Sequence, residues 1–179
     1  MDDIELLSQV KADDREAFNS LFLKYHPLLS DFCRFLGINS DDGEDVIADV
    51  FLDLWVKRER VLIHSSLKSY LYGAVKNRVY TLKGKNQKMQ LLPEEFASDK
   101  AISDHLRPDE MLFRKDRRLI IERFVDELPE QGRLIFMMNW QHQLDYQEIA
   151  EILNISPNTV KTHIYRSVNY FRKRLLFVK

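Results

Sequence analysis

Apolar residues recur along this chain at the three-to-four-residue spacing of helices, and the alternating pattern of strands is not evident. Ile4, Leu7 and Val10 predict a short first helix. Asp14 can cap a second, carrying Ala17, Leu21, Phe22 and Tyr25; Pro27 must bend or restart it before Leu28, Leu29, Phe32, Phe35 and Leu36 lead to Gly37 as its stop. Asn39 to Gly43 reads as a turn and cap cluster. A third helix, 44–57, buries Ile47, Val50, Phe51, Leu54 and Trp55, and aligns Asp45, Asp49 and Asp53 four residues apart on another face. After a loop over 60–67, with Ser65 or Ser66 as cap, a fourth helix spans 67–83. One side carries Leu67, Tyr70, Leu71, Ala74, Val75, Val79 and Leu82, and the other Lys68, Tyr72, Lys76, Tyr80 and Lys83. Arg78 projects toward the apolar side by helical angle, without a sequence-level reason.

The pattern then lapses. Residues 84–107 are Lys- and Gln-rich, then polar around Pro93-Glu94-Glu95, as in an interdomain linker. Helices resume over 109–127 and, after a stop at Leu128-Pro129, over 130–140. Tyr146 to Leu153 reads as a short helix with Ile149, Ala150 and Leu153 inward, followed by the turn Asn154-Ile155-Ser156. Ser156 caps a last helix with Pro157 in its first turn. There Val160, Ile164, Val168 and Phe171 form the buried stripe, leaving Asn158, Thr159, Lys161, Thr162, His163, Tyr165 and Arg166 outward. The turn length is that of a helix-turn-helix. The expected fold is all-α: two small helical domains, 1–86 and 108–179, joined by a flexible linker, 87–107, with the helix-turn-helix in the second.

Charge separates these segments. Residues 1–64 carry 7 basic and 14 acidic groups, 65–100 carry 7 and 3, 101–153 carry 7 and 11, and 154–179 carry 6 and 0, in a chain of formal net charge -1. A uniformly basic coat for DNA is excluded; two cationic segments touch a polyanion at separate places, and the acidic faces are left for another partner. On the last helix this favours duplex DNA over a merely solvated face. On the fourth, cations interleaved with rings suit a single strand, with phosphates on Lys68, Lys76 and Lys83 and unstacked bases on Tyr72 and Tyr80. The Asp45, Asp49 and Asp53 face is either solubilising or a dock for a basic partner.

Enzymatic readings find little support. There is no Gly-rich phosphate loop, the five His are scattered without metal-ligand spacing, and no Ser or Cys lies in a nucleophile motif. No catalytic residue, metal, cofactor or small-molecule substrate is expected. Cys33, beside Phe32, reads as a core residue in a reducing compartment. The longest run of large apolar residues, Leu134 to Met138, is too short for a membrane span, so a soluble, cytoplasmic protein is expected.

In order, AFNSLFLKYHPLL, GEDVIADVFLDLW, LKSYLYGAVKNRVY, ELPEQGRLIFMMNW and LDYQEIAEILNISPNTVKTHIYRSVNYFRKRL resemble an extracytoplasmic-function sigma factor of bacterial RNA polymerase, over nearly the whole chain. The resemblance implies a first domain (region 2) holding the polymerase clamp and the promoter -10 element, and a second (region 4) reading the -35 element. It implies clamp contact by Asp45, Asp49, Phe51, Leu54 and Trp55, with Asp53 where the family often has a basic residue. It implies strand contact by Lys76 and Asn77, and a loop from Arg60 through His64, Ser65 and Ser66 that pockets an extruded base. Thr159, Val160 and Lys161 match the start of the recognition helix, while Thr162-His163 replaces a frequent arginine. Core RNA polymerase, promoter DNA and an anti-sigma factor are the implied partners. The competing readings are a free-standing helix-turn-helix regulator of duplex operators, which has no use for the Lys/Tyr stripe, and a helical interaction module, which leaves both cationic segments unexplained.

Overall fold

A computed structural model describes residues 2–63, 65–84 and 123–177. The expected linker, most of the expected helix 109–127, and His64 lie outside the described residues. Those described are helical with no strand, and the chain divides into two compact units, Met1–Gln90 and Leu91–Lys179.

The first unit holds α1 (Asp3–Lys11), α2 (Arg15–Phe35), α3 (Ser40–Lys57) and α4 (Leu67–Leu82). The α2 helix is central, packing on α1, α3 and α4. It is capped as expected: the Asp14 carboxylate accepts from the Glu16 and Ala17 amides at 2.8 and 3.0 Å. At its other end Gly37 takes φ +74°, and Ile38 donates back to the Cys33 carbonyl at 3.1 Å, closing a Schellman turn. Pro27 does not restart α2, which runs through it unbroken. Tyr25 and Leu29, buried on either side, hold that turn by packing.

Two expectations shift at helix starts. The α1 stripe is Leu6 and Val10, not Ile4, which is 78% exposed. The α3 helix begins four residues early, at Ser40, because Asn39 caps it by accepting from the Asp42 amide at 2.8 Å. Gly43 is therefore helical rather than a turn residue, and a Cβ there would stand 3.3 Å from that of Cys33. That close approach lets α3 lie on α2. Cys33 is buried, and desolvation, helped by the charge of Glu44, pushes its thiol up to about 11, as an inert core residue requires.

The second unit holds a helical turn at 123–126, then α5 (Glu130–Trp140), α6 (Tyr146–Leu153) and α7 (Pro157–Phe177). A capping box starts α6, with the Asp145 side chain accepting from the Glu148 amide and Glu148 from the Asp145 amide. Asn154 ends it in the left-handed conformation at φ 54°. Ser156 then caps α7, its oxygen accepting from the Thr159 amide at 3.0 Å. The tight turn between α6 and α7 follows from these three residues, and Ile149, Ala150, Val160, Ile164 and Phe171 close the core beneath it.

Candidate nucleic-acid and partner interfaces

On α3, the acidic stripe meets α4. The Arg78 guanidinium forks between Asp49 at 2.8 Å and Asp53 at 2.7 Å, and Lys57 approaches Asp53 at 3.5 Å. The Arg78 hydrogen bond, aided by the charges of Lys57 and Arg78, holds the Asp53 carboxyl below its usual range. Arg78 thus has its reason: a planar fork on two carboxylates ties α4 to α3. Asp49 and Asp53 are correspondingly engaged within the fold, while Asp45 is exposed one turn earlier.

The apolar side of α3 divides in two. Leu54 is fully buried and Phe51 is 2% exposed, so Leu54 is a core residue rather than a contact for a partner, and Phe51 reaches outward only as the floor of a groove. Phe18 and Phe22 of α2 set their rings against Phe51 at 5.9 and 5.0 Å, and Phe18 lies 4.9 Å from Trp55. With Arg15, Ala48 and Leu52 these residues line an open groove of about 450 Å³. Leu52 and Val56 stand 59% and 66% exposed beside it. The α2 wall escaped the sequence reading. Its signal was two aromatic pairs at i, i+4, Phe18/Phe22 and Phe51/Trp55, more ring surface than one core stripe needs.

The α4 helix is rotated relative to the sequence expectation. Its buried side is Leu67, Ser69, Leu71, Tyr72, Val75 and Val79, whereas Leu82 is 60% exposed. Tyr72 is fully buried with its ring 4.9 Å from Phe32, so it is a core residue and no platform for bases. Lys83 is exposed, and its ammonium donates to the Leu36 carbonyl at the C-terminal end of α2. The face α4 turns outward carries Tyr70, Gly73, Asn77 and Tyr80 at i, i+3, i+7 and i+10, with Lys76 half-buried at its margin. Burial lowers the pKa of Lys76.

In the loop before α4, Arg60 is exposed, and Val61 is buried with its carbonyl accepting from the Lys11 ammonium at 3.2 Å. Ser66 caps α4 through the Ser69 amide at 3.0 Å, and the Ser65 and Ser69 hydroxyls lie 2.7 Å apart. Both serines thus shape the loop.

In the second unit, Asn158, Tyr165 and Arg166 are exposed on α7 and Thr159, Lys161 and Thr162 are half-buried. The Thr162 hydroxyl donates to the Asn158 carbonyl at 2.9 Å, and the Thr159 and Ser156 hydroxyls share a 2.9 Å bond. Burial raises the pKa of Tyr146, at the start of α6, and the charge of Lys161 opposes that shift. His163, like Thr159, Lys161 and Thr162, is not fully outward. It is half-buried against α5, its Nδ1 3.7 Å from where a Gly132 Cβ would stand, and burial followed by the charge of Arg166 lowers its pKa.

This arrangement, an aromatic groove under an acidic helix in one unit and a cation-bearing helix-turn-helix in the other, has matching sequence profiles. Sigma-70 region 2 matches residues 21–89, and Sigma-70, region 4 matches residues 118–169. The chain belongs to the sigma-70 family, in its extracytoplasmic-function branch. Among its relatives, the ECF RNA polymerase sigma factor SigW of Bacillus subtilis is 27% identical over 177 residues, 94% of either chain. The ECF RNA polymerase sigma-E factor of Escherichia coli K12 is 25% identical over 170 residues, 90% of this sigma factor and 88% of that one. Solved structures share the fold. CnrH in complex with the cytosolic domain of CnrY aligns at TM-score 0.64 and 19% identity, covering 97% of this chain and 96% of that one. The sigma factor RpoE in complex with the anti-sigma factor NepR, from Bartonella quintana, aligns at 0.57 and 20%, covering 88% and 96%. No described helix of this sigma factor is long and apolar enough to cross a membrane.

Proposed function

We propose that this sigma factor works in the cytoplasm as a non-catalytic subunit: it binds core RNA polymerase and directs initiation at promoters whose -10 element it melts and whose -35 element it reads. The observation that carries the assignment of surfaces is the groove of Phe18, Phe22, Phe51, Leu52 and Trp55 beside exposed Asp45. An apolar cleft flanked by a carboxylate suits a helix of the polymerase clamp with apolar side chains and a basic edge. In the same unit, α4 contains no acidic residue and presents Tyr70, Asn77 and Tyr80 beside Lys76, so the displaced -10 strand belongs there, with Arg60 and the loop before α4 taking an extruded base. In the second unit, α7 enters the major groove of the -35 duplex with Asn158, Lys161 and Tyr165 toward base edges and Arg166 toward phosphate.

A protein inhibitor that covers one of these surfaces keeps the factor idle, the role of the anti-sigma partner. The assay is transcription by purified core polymerase on genomic fragments. Promoter-specific transcripts are expected only when the chain is added, and Leu52→Glu is expected to abolish them by placing a charge in the groove. Tight sequence-specific binding to duplex DNA by the chain alone, with no effect on polymerase, would sink the reading.

A further inference from the structure

We propose that Gly73 is a positioning residue for the -10 strand: the bare point on α4 where the sugar-phosphate backbone of the displaced strand comes nearest the helix. The inference rests on the reading of α4 as the strand-holding helix. The chain has five, all in described positions. Gly37 and Gly84 take φ +74° and +87°, where other residues are strained. Gly43 admits Cys33 at 3.3 Å, and Gly132 lies against His163 and Ser167 at 3.7 and 4.0 Å. The fold accounts for these four. Gly73 sits in the interior of α4 with ordinary helical φ, and a Cβ built there meets, beyond its own helix backbone, no atom of the described residues within 4 Å.

Glycine is the poorest helix former after proline, so this position weakens α4, and among the described residues nothing packs into the space it leaves. A bare glycine on a helix surface leaves room for close approach by something outside the fold. Its surroundings say what approaches. Tyr70 lies three residues before it, Lys76 three after, Asn77 four and Tyr80 seven after, all facing the same side or its margin. No carboxylate lies on α4. Two rings and an amide, with an ammonium at the edge, suit a nucleotide strand: the rings take bases, the amide and ammonium take phosphate oxygens, and the notch between them admits the sugar.

The test uses Gly73→Ala and Gly73→Leu in the full chain. Gly73→Ala should raise the melting temperature of the chain by a few degrees, since it removes a helix-weakening residue without a clash. Its affinity for core polymerase should stay at the wild-type value. Binding of the resulting holoenzyme to a single-stranded -10 oligonucleotide, and open-complex formation on a duplex promoter, should fall about tenfold, and further with Gly73→Leu, because the added carbons overlap the strand. A more stable variant with full strand binding and full open-complex formation overturns the proposal. So does a loss of core-polymerase affinity, which would make the notch a protein contact, and so does a lower melting temperature, which would mean the fold itself needs the space. A wild-type chain that supports no promoter-specific transcription at all overturns the underlying reading of α4 instead.

Discussion

The two cationic helices, α4 and α7, carry apolar residues at the same helical spacing, yet α7 buries the stripe its spacing predicts more fully than α4 does. On α7 the expected stripe, Val160, Ile164, Val168 and Phe171, is the buried one. On α4 the stripe is turned, so that Tyr72 goes inside and Leu82 outside. The difference lies in the residues at the edges. The α7 helix borders β-branched and aromatic core residues with Asn, Thr, Lys and Arg, so polarity marks the boundary. The α4 helix has Tyr70, Tyr72 and Tyr80 around its circumference, and a tyrosine, with an apolar body and a polar tip, fits either side. Where such residues dominate, packing rather than pattern chooses the face. Phe32 of α2 takes Tyr72 at 4.9 Å, and the Arg78 fork on Asp49 and Asp53 fixes the rotation of α4 against α3.

The largest effect that tests this contrast is on stability. Tyr72→Ala removes a fully buried ring and should destabilise the first unit by about 3 to 5 kcal/mol, as large aromatic-to-alanine truncations in cores do. Tyr165→Ala, at a 39% exposed position on α7, should change stability by about 0.5 kcal/mol or less. Urea unfolding of the two variants decides it. A stable Tyr72→Ala chain with impaired strand binding would return Tyr72 to the outer face and undo the rotation.

What was legible in the sequence follows the same physics. Capping is local, so Asp14, Gly37, Asn154 and Ser156 were correctly read, and with them most helix limits. The helix-turn-helix was legible because its turn and both stripes lie within about 25 consecutive residues. Interactions between distant segments were not. The aromatic groove needs α2 and α3 side by side, the Arg78 fork needs α3 and α4 in register, and the bond from Lys83 to the Leu36 carbonyl joins residues 47 apart. His163 misled because its helical angle lies near the boundary and the bare Gly132 opposite draws it inward.

A smaller effect separates base reading from anchoring on α7. Lys161, half-buried in the second turn of α7, is the base-edge candidate, and exposed Arg166 the phosphate candidate. Lys161→Ala should cost about 1 to 3 kcal/mol on preferred -35 sequences and change their ranking. Arg166→Ala should weaken all sequences alike and lower the salt slope by about 1. Affinities over a panel of -35 substitutions at several salt concentrations measure both. The reverse pattern would mean that α7 lies in the groove with its later turns inward, and the likeness to α4, whose contacts are spread along its length, would then be closer than proposed.

The smallest effect concerns His163, a half-buried residue of the α7 face that lies toward α5 where an outward position was expected. His163 is half-buried beside Gly132 and Ser167, and burial together with the charge of Arg166 lowers its pKa from the usual 6.5. The neutral ring is therefore the form the fold favours. Well above pH 6.5 the ring is neutral in folded and unfolded chains alike, and it places no pH-dependent cost on folding. As pH falls through 6.5 the unfolded chain takes up the proton first, so stability declines across the window from 6.5 down to the lowered folded value and then levels off. His163→Gln, which keeps a polar side chain but does not titrate, should flatten that part of the profile while leaving the decline due to carboxylates intact. Unfolding midpoints of both chains between pH 7.5 and 5 give the difference directly. If acidification instead stabilises the wild-type chain relative to His163→Gln, the ring is charged in the fold, and it belongs with Lys161 and Arg166 among the groups that face DNA.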